Sequence, residues 1–408
     1  MKILTAVLLV YAFALSALSE AEESLEALAK RAVNRAITDS SVQMKIDTHT
    51  PWHIVHGLLA YRDSLKLLDA TETNRVSALE WVKEGGIYRN QPSFLVTGKD
   101  TIGARGPQTE FQGHLDQFAG YLSELHLPPD TPFKARGEAG METRTWREII
   151  DGIKCGDPSR YSQKEGFETS WALWALANNV DADEEWRSAE GKTLTLGDFV
   201  CAELKQDLTK QPCGGMHSLY AISSALKKFR ALKSHAHMAE GILRCWQEAD
   251  ATERKYLARA KEFQNLPVDL SYLSKKQRRA AEKSLERELK NTGRTSLQLD
   301  GSFSANFVHG YGAGDWRARL PGNGHTLEWL MIVLPDSELR QPWVRHGVAS
   351  VARTMLEAQF SDADSIDYLS GAQAGRIDQQ AFKRFMTLGG YFHAAHALQM
   401  YLKRVNGK

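Results

Sequence analysis

The chain contains the stretch Trp52-His-Ile-Val-His56-Gly-Leu-Leu-Ala-Tyr61 and, near its other end, the close copy Phe392-His-Ala-Ala-His396-Ala-Leu-Gln-Met-Tyr401. Both read as an aromatic residue, His-x-x-His, a small residue, Leu, and a Tyr four positions after the small residue. Four looser versions, each a glycine followed by an apolar and aromatic stretch, begin at Gly113, Gly166, Gly215 and Gly324. A pattern that returns about every fifty residues indicates a repeated supersecondary unit.

Amphipathic runs alternate with these six segments, and their apolar residues recur at helical spacing. The runs cover 24–37, 71–82, 144–153, 194–208, 236–249 and 342–360. No run shows convincing period-two alternation, and Gly or Pro marks joints between elements, among them Pro321 to Gly324 and Gly389 to Gly390. The sequence therefore predicts an all-α chain of paired helices.

The likeness of the first and last segments favours closure of these pairs into a ring over an open solenoid. We expect an α/α toroid of six helical hairpins, an (α/α)6 barrel of twelve main helices. His217 and His325 lie 108 positions apart, which indicates an insertion. The charged segment at about 251–296 predicts an exposed helical hairpin there, a surface on which a protein partner could dock.

Composition and charge indicate a chain with a large core and no nucleic-acid partner. The 408 residues are 42% hydrophobic and 25% charged, enough for a large core. Lys plus Arg number 51 against 50 Asp plus Glu, so a net charge of +1 gives no electrostatic footprint for nucleic acid. The basic run Lys275-Lys-Gln-Arg-Arg279 is followed by acidic residues and is typical of a solvated helix face.

The N-terminus has the pattern of a secretory signal: a short positive head, an apolar run, and small residues at Ala17, Ser19 and Ala21 for cleavage. We predict a signal peptide at 1–21, a toroid domain at 22–408, and a secreted or periplasmic protein with no stable membrane span after cleavage. An uncleaved anchor is the alternative. Two disulfides or free thiols are both compatible with the four cysteines, Cys155, Cys201, Cys213 and Cys245.

At fold level the chain resembles the superfamily of terpenoid cyclases and protein prenyltransferases, because Gln298-Leu-Asp-Gly-Ser-Phe303 is similar to the Gln…Gly-x-aromatic element of the cyclases. The resemblance implies a substrate cavity at the centre of an α/α toroid. The Asp-x-Asp-Asp acid of the cyclases is absent. Prenyltransferases hold zinc with Asp, Cys and His, and Cys213 and His217 stand one turn apart here without a matching Asp. The likeness also extends to glycan-cleaving enzymes built on six helical hairpins.

Histidines recur at the starts of the predicted inner helices, which converge on one mouth in a toroid. We predict His56, His114, His217, His325 and the carboxylate Glu328 as catalytic residues, with His396 at the same level. Histidine suits proton transfer near neutral pH, and a nearby carboxylate can orient it. Two alternatives stay open: paired residues such as His53 with His56, Cys213 with His217, or His325 with Glu328 could bind metal, or the histidines could only hold the helices together.

The Gly-rich stretch Gly310-Tyr-Gly-Ala-Gly-Asp-Trp-Arg317, continuing to Gly324, predicts a mobile lid over the cavity. A phosphate-binding loop is excluded because no strand precedes it. The predicted substrate-binding residues in and beside this stretch are His309, Tyr311, Asp315, Trp316 and Arg317.

Taken together, these features predict an exported α/α-toroid protein with a polar, His-lined central cavity that binds a small-molecule or glycan ligand. Acid–base chemistry on an extracellular glycan is the favoured activity, without a cofactor, and zinc is the alternative. A terpenoid cyclase or prenyltransferase-like protein with an apolar ligand, and a non-catalytic binding or scaffold protein, are the competing hypotheses. Whether the protein is an enzyme stays open on the sequence.

Overall fold

The computed structural model describes residues 24–38, 43–71, 73–88, 92–97, 100–103, 114–158, 169–261, 316–360 and 379–407. Most of these residues are helical, which confirms the predicted all-α character. The predicted signal peptide lies outside the described residues. Of the predicted insertion only 251–261 are described, and they continue a long helix.

Twelve α-helices occur in the described ranges. In chain order they are α1 (Leu25–Thr38), α2 (Pro51–Tyr61), α3 (Ala78–Lys83), α4 (Gln117–Ser123), α5 (Trp146–Cys155), α6 (Thr169–Asn179), α7 (Leu196–Leu204), α8 (Met216–Ala231), α9 (Glu240–Lys261), α10 (Trp316–Val333), α11 (Pro342–Glu357) and α12 (Gln379–Val405). None of them is both long and apolar enough to span a membrane.

Even-numbered and odd-numbered helices differ in burial. Every residue of α2 and α4 is buried, whereas α5 buries one face through Trp146, Ile149 and Ile153 and leaves polar residues outside. A helix that is apolar on all sides belongs in an interior, and an amphipathic helix covers a core. Each even-numbered helix contacts the next even-numbered helix along the chain, and α12 contacts α2.

Helices α10 and α12 make the most extensive contact, and glycine makes it close. A Cβ atom on Gly324 would lie 2.6 Å from the backbone nitrogen of Ala394, and one on Gly390 would lie 2.5 Å from Pro321. The prediction of joints at Pro321 to Gly324 and at Gly389 to Gly390 was wrong, because both stretches lie inside helices. Close packing of two backbones, rather than chain reversal, requires these small residues.

Short strands accompany the helices, although the sequence showed no convincing alternation. They are β1 (Lys66–Leu68), β2 (Arg75–Ser77), β3 (Phe94–Thr97), β4 (Asp100–Gly103), β5 (Pro132–Gly137), β6 (Gly140–Thr145), β7 (Trp186–Arg187) and β8 (Thr193–Leu194). Strands β1–β2 and β7–β8 are antiparallel pairs, and the remaining strands form a sheet in the order β4-β3-β5-β6, with β3 and β5 parallel. Only Phe133 and Ala135 alternate inward in β5, too short a pattern to detect.

Two further sequence predictions can be compared with the described residues. The amphipathic run at 71–82 contains strand β2 before the short helix α3, so its first half was wrongly predicted as helical. Cys201 and Cys245 form a disulfide that joins α7 to α9, while Cys213 takes part in no disulfide. This arrangement resolves one of the pairings that the sequence left open.

Candidate functional site

A cavity of about 250 Å³ lies where α2, α4, α8, α10 and α12 meet. The side chains on its wall that can bind, ligate or transfer a proton are His56, His114, Gln117, Tyr121, Cys213, His217, His325 and His393. They come from positions more than three hundred residues apart in the chain. The cavity therefore collects potential catalytic groups from five helices.

Four of the predicted histidines, His56, His114, His217 and His325, line this cavity. Glu328 lies one helical turn after His325 and is buried behind it, and His396 binds Glu328 instead of lining the cavity. The structure therefore brings these residues together, and their catalytic roles stay predictions.

The predicted substrate-binding residues are less well placed. His309, Tyr311 and Asp315 lie outside the described residues. Trp316 and Arg317 are the first two residues of α10, so the predicted loop from 310 to 324 is helical from Trp316 onward. The expectation of a loop at these positions was wrong, because contact with α12 stabilises the helix despite its Gly and Pro content.

Glu328 is the hub of a buried hydrogen-bond network. Its carboxylate accepts from Nδ1 of His396 at 2.8 Å, from Nδ1 of His393 at 2.8 Å and from Nδ1 of His325 at 3.3 Å. A buried carboxylate needs such donors to offset its loss of water. Since the carboxylate holds the Nδ1 side of His325 and His393, their Nε2 atoms are the ones left to face other groups.

A second chain of hydrogen bonds continues from His393 along the cavity wall. Its Nε2 lies 3.1 Å from the hydroxyl of Tyr121, which lies 2.9 Å from Nε2 of His56. Nδ1 of His56 lies 2.6 Å from the carbonyl oxygen of Trp52, which can only accept, so the ring proton of His56 is on Nδ1. Nδ1 of His393 donates to Glu328, so both Nε2 atoms carry lone pairs, and the one hydroxyl proton of Tyr121 donates to either imidazole, one at a time.

Burial lowers the pKa of His56, His325 and His393 well below the ordinary value for histidine. Neighbouring imidazoles lower these pKa values further, because each disfavours a second positive charge nearby. Glu328 opposes the shift at His325 without reversing it. The three rings are neutral at neutral pH, so each keeps one nitrogen lone pair.

Cys213, His217 and His325 form a compact group in which one ligand-capable atom of each residue lies within 4.8 Å of the others. Cys213 adopts a left-handed backbone conformation with φ of 52°, and Gly214 and Gly215 also have positive φ just before α8 begins. A Cβ atom on Gly215 would lie 2.5 Å from the carbonyl oxygen of Leu208, so only glycine fits there. This turn places the thiol of Cys213 on the cavity wall.

Sequence reasoning missed Tyr121 and His393. Residues three apart on a helix differ by about 60° in direction, so His-x-x-His could not reveal which ring faces the cavity. The cavity takes the second histidine of the first repeat, His56, and the first histidine of the last, His393. A signal for Tyr121 was present, because it stands four residues after Gln117 and seven after His114 on one helical face.

Aromatic residues hold the histidine rings in place. Trp171 is fully buried, stacks with His114 and packs 4.3 Å from the ring of His217. Trp174, Tyr220 and Trp329 are also buried, as expected for residues that pack helices together. Among Trp52, Trp171, Trp174, Tyr220 and Trp329, only Trp52 lines the cavity.

Comparison of the chain with protein-family models, curated proteins and solved structures finds no match. The resemblance to terpenoid cyclases and prenyltransferases therefore stays a prediction. Function has to be inferred from the geometry of the cavity.

Proposed function

We propose that the protein is an exported α/α-toroid enzyme that cleaves a glycan by acid–base chemistry in the histidine-lined cavity. The observation that carries the proposal is the buried chain Glu328–His393–Tyr121–His56, whose successive groups lie within hydrogen-bond distance of one another along the cavity wall. A purely structural core has little need for four coupled proton-exchanging groups beside an open space.

The toroid is supported by the cycle of contacts among even-numbered helices, in which α12 returns to α2. In this arrangement the even-numbered helices form the inner ring, and the odd-numbered helices cover it. The cavity then lies at the end of the ring where the inner helices α4 and α8 begin, which is where the repeated histidines occur.

The hydrogen-bond chain suggests a specific relay. Tyr121 takes a proton from the water that attacks the glycosidic carbon, as its own hydroxyl proton passes to Nε2 of His393, 3.1 Å away. Glu328 stabilises the imidazolium that forms, because its carboxylate already binds Nδ1 of that ring. As the water oxygen bonds to that carbon and the glycosidic C–O bond breaks, the proton held by His393 returns through Tyr121 to the leaving oxygen, so acid and base roles alternate in one cycle.

The size of the cavity favours a small polar group over a long apolar chain. Its volume of about 250 Å³ is slightly below the range of about 300 to 1,000 Å³ typical of pockets for whole small molecules. One sugar ring fits such a space, and Trp52 offers a flat face for it. Export is supported by the Cys201–Cys245 disulfide, since such bridges persist in oxidising compartments.

The test compares Tyr121→Phe with Tyr61→Phe against a panel of extracellular oligosaccharides, with reducing ends as the readout. Tyr121→Phe keeps the ring that packs on Trp171 and removes only the relay oxygen. We expect turnover to fall by about 10² to 10⁴ with folding intact by circular dichroism. Tyr61 is a matched control, because its buried hydroxyl donates to the carbonyl oxygen of Val33 away from the cavity.

An active Tyr121→Phe variant would contradict the relay. A wild-type protein that cleaves none of the glycans would contradict the choice of substrate.

A second candidate function, binding of an apolar ligand, is favoured by Pro321 and Met386 on the cavity wall. Quenching of tryptophan fluorescence by isoprenoid alcohols, but not by oligosaccharides, would support it.

A further inference from the structure

We infer that Cys213, His217 and His325 bind a zinc ion on the cavity wall, with a fourth coordination position open to the cavity. The inference goes beyond the proposed function, because the metal site does not depend on which substrate the cavity holds. The sequence suggested the pairs Cys213 with His217 and His325 with Glu328 separately, and did not bring His325 to the first pair. The third ligand comes from α10, 108 positions after His217.

The geometry suits a tetrahedral ion. With Zn–S near 2.3 Å and Zn–N near 2.0 to 2.1 Å, the ligand atoms of such a site lie about 3.3 to 3.6 Å apart. The ligand-capable atoms of the three residues lie within 4.8 Å of one another. Side-chain rotations that move these atoms by about 1 Å would complete the site, and the backbone can stay in place.

A neighbouring carboxylate supplies the outer support that metal-bound histidines usually have. Glu328 holds Nδ1 of His325 at 3.3 Å, which fixes the ring and leaves Nε2 for the ion. His325, Glu328 and His393 are themselves close enough to hold a metal. In that group, however, the carboxylate oxygens already accept from three imidazoles, so hydrogen bonds account for the short distances.

The turn before α8 positions the thiol. A left-handed conformation at a residue with a side chain is strained and occurs where the surroundings impose it. The Pro212–Gly215 turn imposes it on Cys213, and Gly215 has no room for a Cβ atom against Leu208. The thiol is thus held one helical turn from the ring of His217, on the cavity wall.

The ligand set indicates which ion and which kind of site. One thiolate and two imidazoles suit zinc better than magnesium or calcium, which prefer oxygen. Three protein ligands beside an open space are typical of catalytic zinc, whereas structural zinc has four. The fourth position would hold water or a substrate oxygen and could lower the pKa of that water toward neutrality.

The test measures zinc in the full mature chain, purified without an affinity tag, after dialysis against chelator-free buffer. We expect about one zinc per chain in the wild type, and a loss of about tenfold or more in occupancy for Cys213→Ser and His217→Ala. Cys155→Ser and His237→Ala are matched controls, since neither residue lines the cavity. Both controls should keep the ion.

A second measurement does not rely on variants that must fold. Zinc should slow the alkylation of Cys213 by iodoacetamide by about tenfold, because a metal-bound thiolate is a poor nucleophile. Cobalt in place of zinc should give a thiolate-to-cobalt absorption band in the wild type and in Cys155→Ser. Zinc retained by Cys213→Ser, or a wild type that takes up no zinc and whose Cys213 alkylates equally fast with and without it, would overturn the inference.

These outcomes are distinguishable from failure of the proposed function. Zinc at Cys213 in a protein that cleaves no glycan would leave the metal site standing and remove the substrate assignment. Glycan cleavage by a protein without zinc would leave the Tyr121 relay and remove the metal site.

Discussion

Helices α5 and α7 begin differently from helices α4 and α8. On the odd-numbered side, α5 and α7 begin with capping boxes, in which Thr145 pairs with Glu148 and Thr195 with Asp198. On the even-numbered side, α4 and α8 begin on the left-handed residues Asp116 and Gly215, without a side-chain cap. Capping boxes satisfy backbone groups locally and stabilise a helix by about 1 kcal/mol.

This difference shows that some helix starts serve stability, whereas others carry side chains available for chemistry. At the starts of α5 and α7 the capping-box side chains accept hydrogen bonds from free backbone N–H groups. These groups therefore need no partner from another part of the chain. At α4 and α8 the adjacent residues His114, Cys213 and His217 face the cavity instead. At these two helix starts the local rules of helix formation are broken beside candidate catalytic residues, as expected of functional sites.

The largest expected effect comes from a methyl group between even-numbered helices. Gly324→Ala would place its Cβ atom 2.6 Å from the backbone nitrogen of Ala394 and 3.1 Å from the oxygen of Gly390. Because both obstacles are backbone, α10 and α12 must separate, and we expect a loss of about 4 kcal/mol in the free energy of unfolding, above the usual cost of overpacking. Urea unfolding measures it.

Gly241→Ala in α9 is the matched substitution on an odd-numbered helix. Apart from its chain neighbours and the adjacent backbone of α9, no atom of the described residues lies within 4 Å of the added methyl group, so we expect the variant to be neutral or to stabilise by about 0.5 kcal/mol. Equal effects at Gly324 and Gly241 would contradict the close packing of α10 on α12.

The next effect concerns two carboxylates in opposite surroundings. Glu328→Gln removes half of the acceptor capacity that three buried histidines share, and we expect it to lower the free energy of unfolding by about 3 kcal/mol. Glu148→Gln at the exposed start of α5 should lower it by only about 0.5 kcal/mol at pH 7, since water screens that site. Denaturant titrations compare the two.

The pH dependence of the stability lost in Glu148→Gln gives a further test of this comparison. Hydrogen bonds from the backbone and side chain of Thr145 lower the pKa of Glu148. A lowered pKa contributes stability above the unfolded pKa, and that contribution is lost as the pH falls through the folded pKa. The cost of Glu148→Gln should therefore vanish in acid, and a cost that grows on acidification would contradict this explanation.

The smallest expected difference in the free energy of unfolding is between two glycine-to-alanine variants at positive φ, one with a steric clash and one without. Gly215→Ala meets both a left-handed backbone, with φ of 77°, and the carbonyl oxygen of Leu208 at 2.5 Å. Gly191→Ala, between β7 and β8, meets the same conformation, with φ of 80°, but has no neighbouring atom of the described residues within 4 Å. We expect losses of about 2 kcal/mol and about 1 kcal/mol. Identical melting temperatures for the two variants would show that the start of α8 can yield.

Much of the site was predictable from repetition, and some of it was not. His56, His114, His217 and His325 recur at equivalent places in the repeats, so they were expected together, and one cavity contains them. His393 was missed because the sequence of α12 does not reveal how the helix is rotated. The helical course of Pro321 to Gly324 was missed because Gly and Pro signal turns locally, whereas here small residues serve contact with α12.

The sequence by itself determined the helical character of the chain, the alternation of apolar and amphipathic helices, and the residue types available for chemistry. These follow from local periodicity and composition, which act over a few residues. Tertiary structure decided which side chains meet: Glu328 with three histidines, Tyr121 between two imidazoles, and Cys213 beside His217 and His325. These contacts depend on how each helix is rotated about its axis and on how closely helices approach at glycine. Both are set only by the packing of the whole chain.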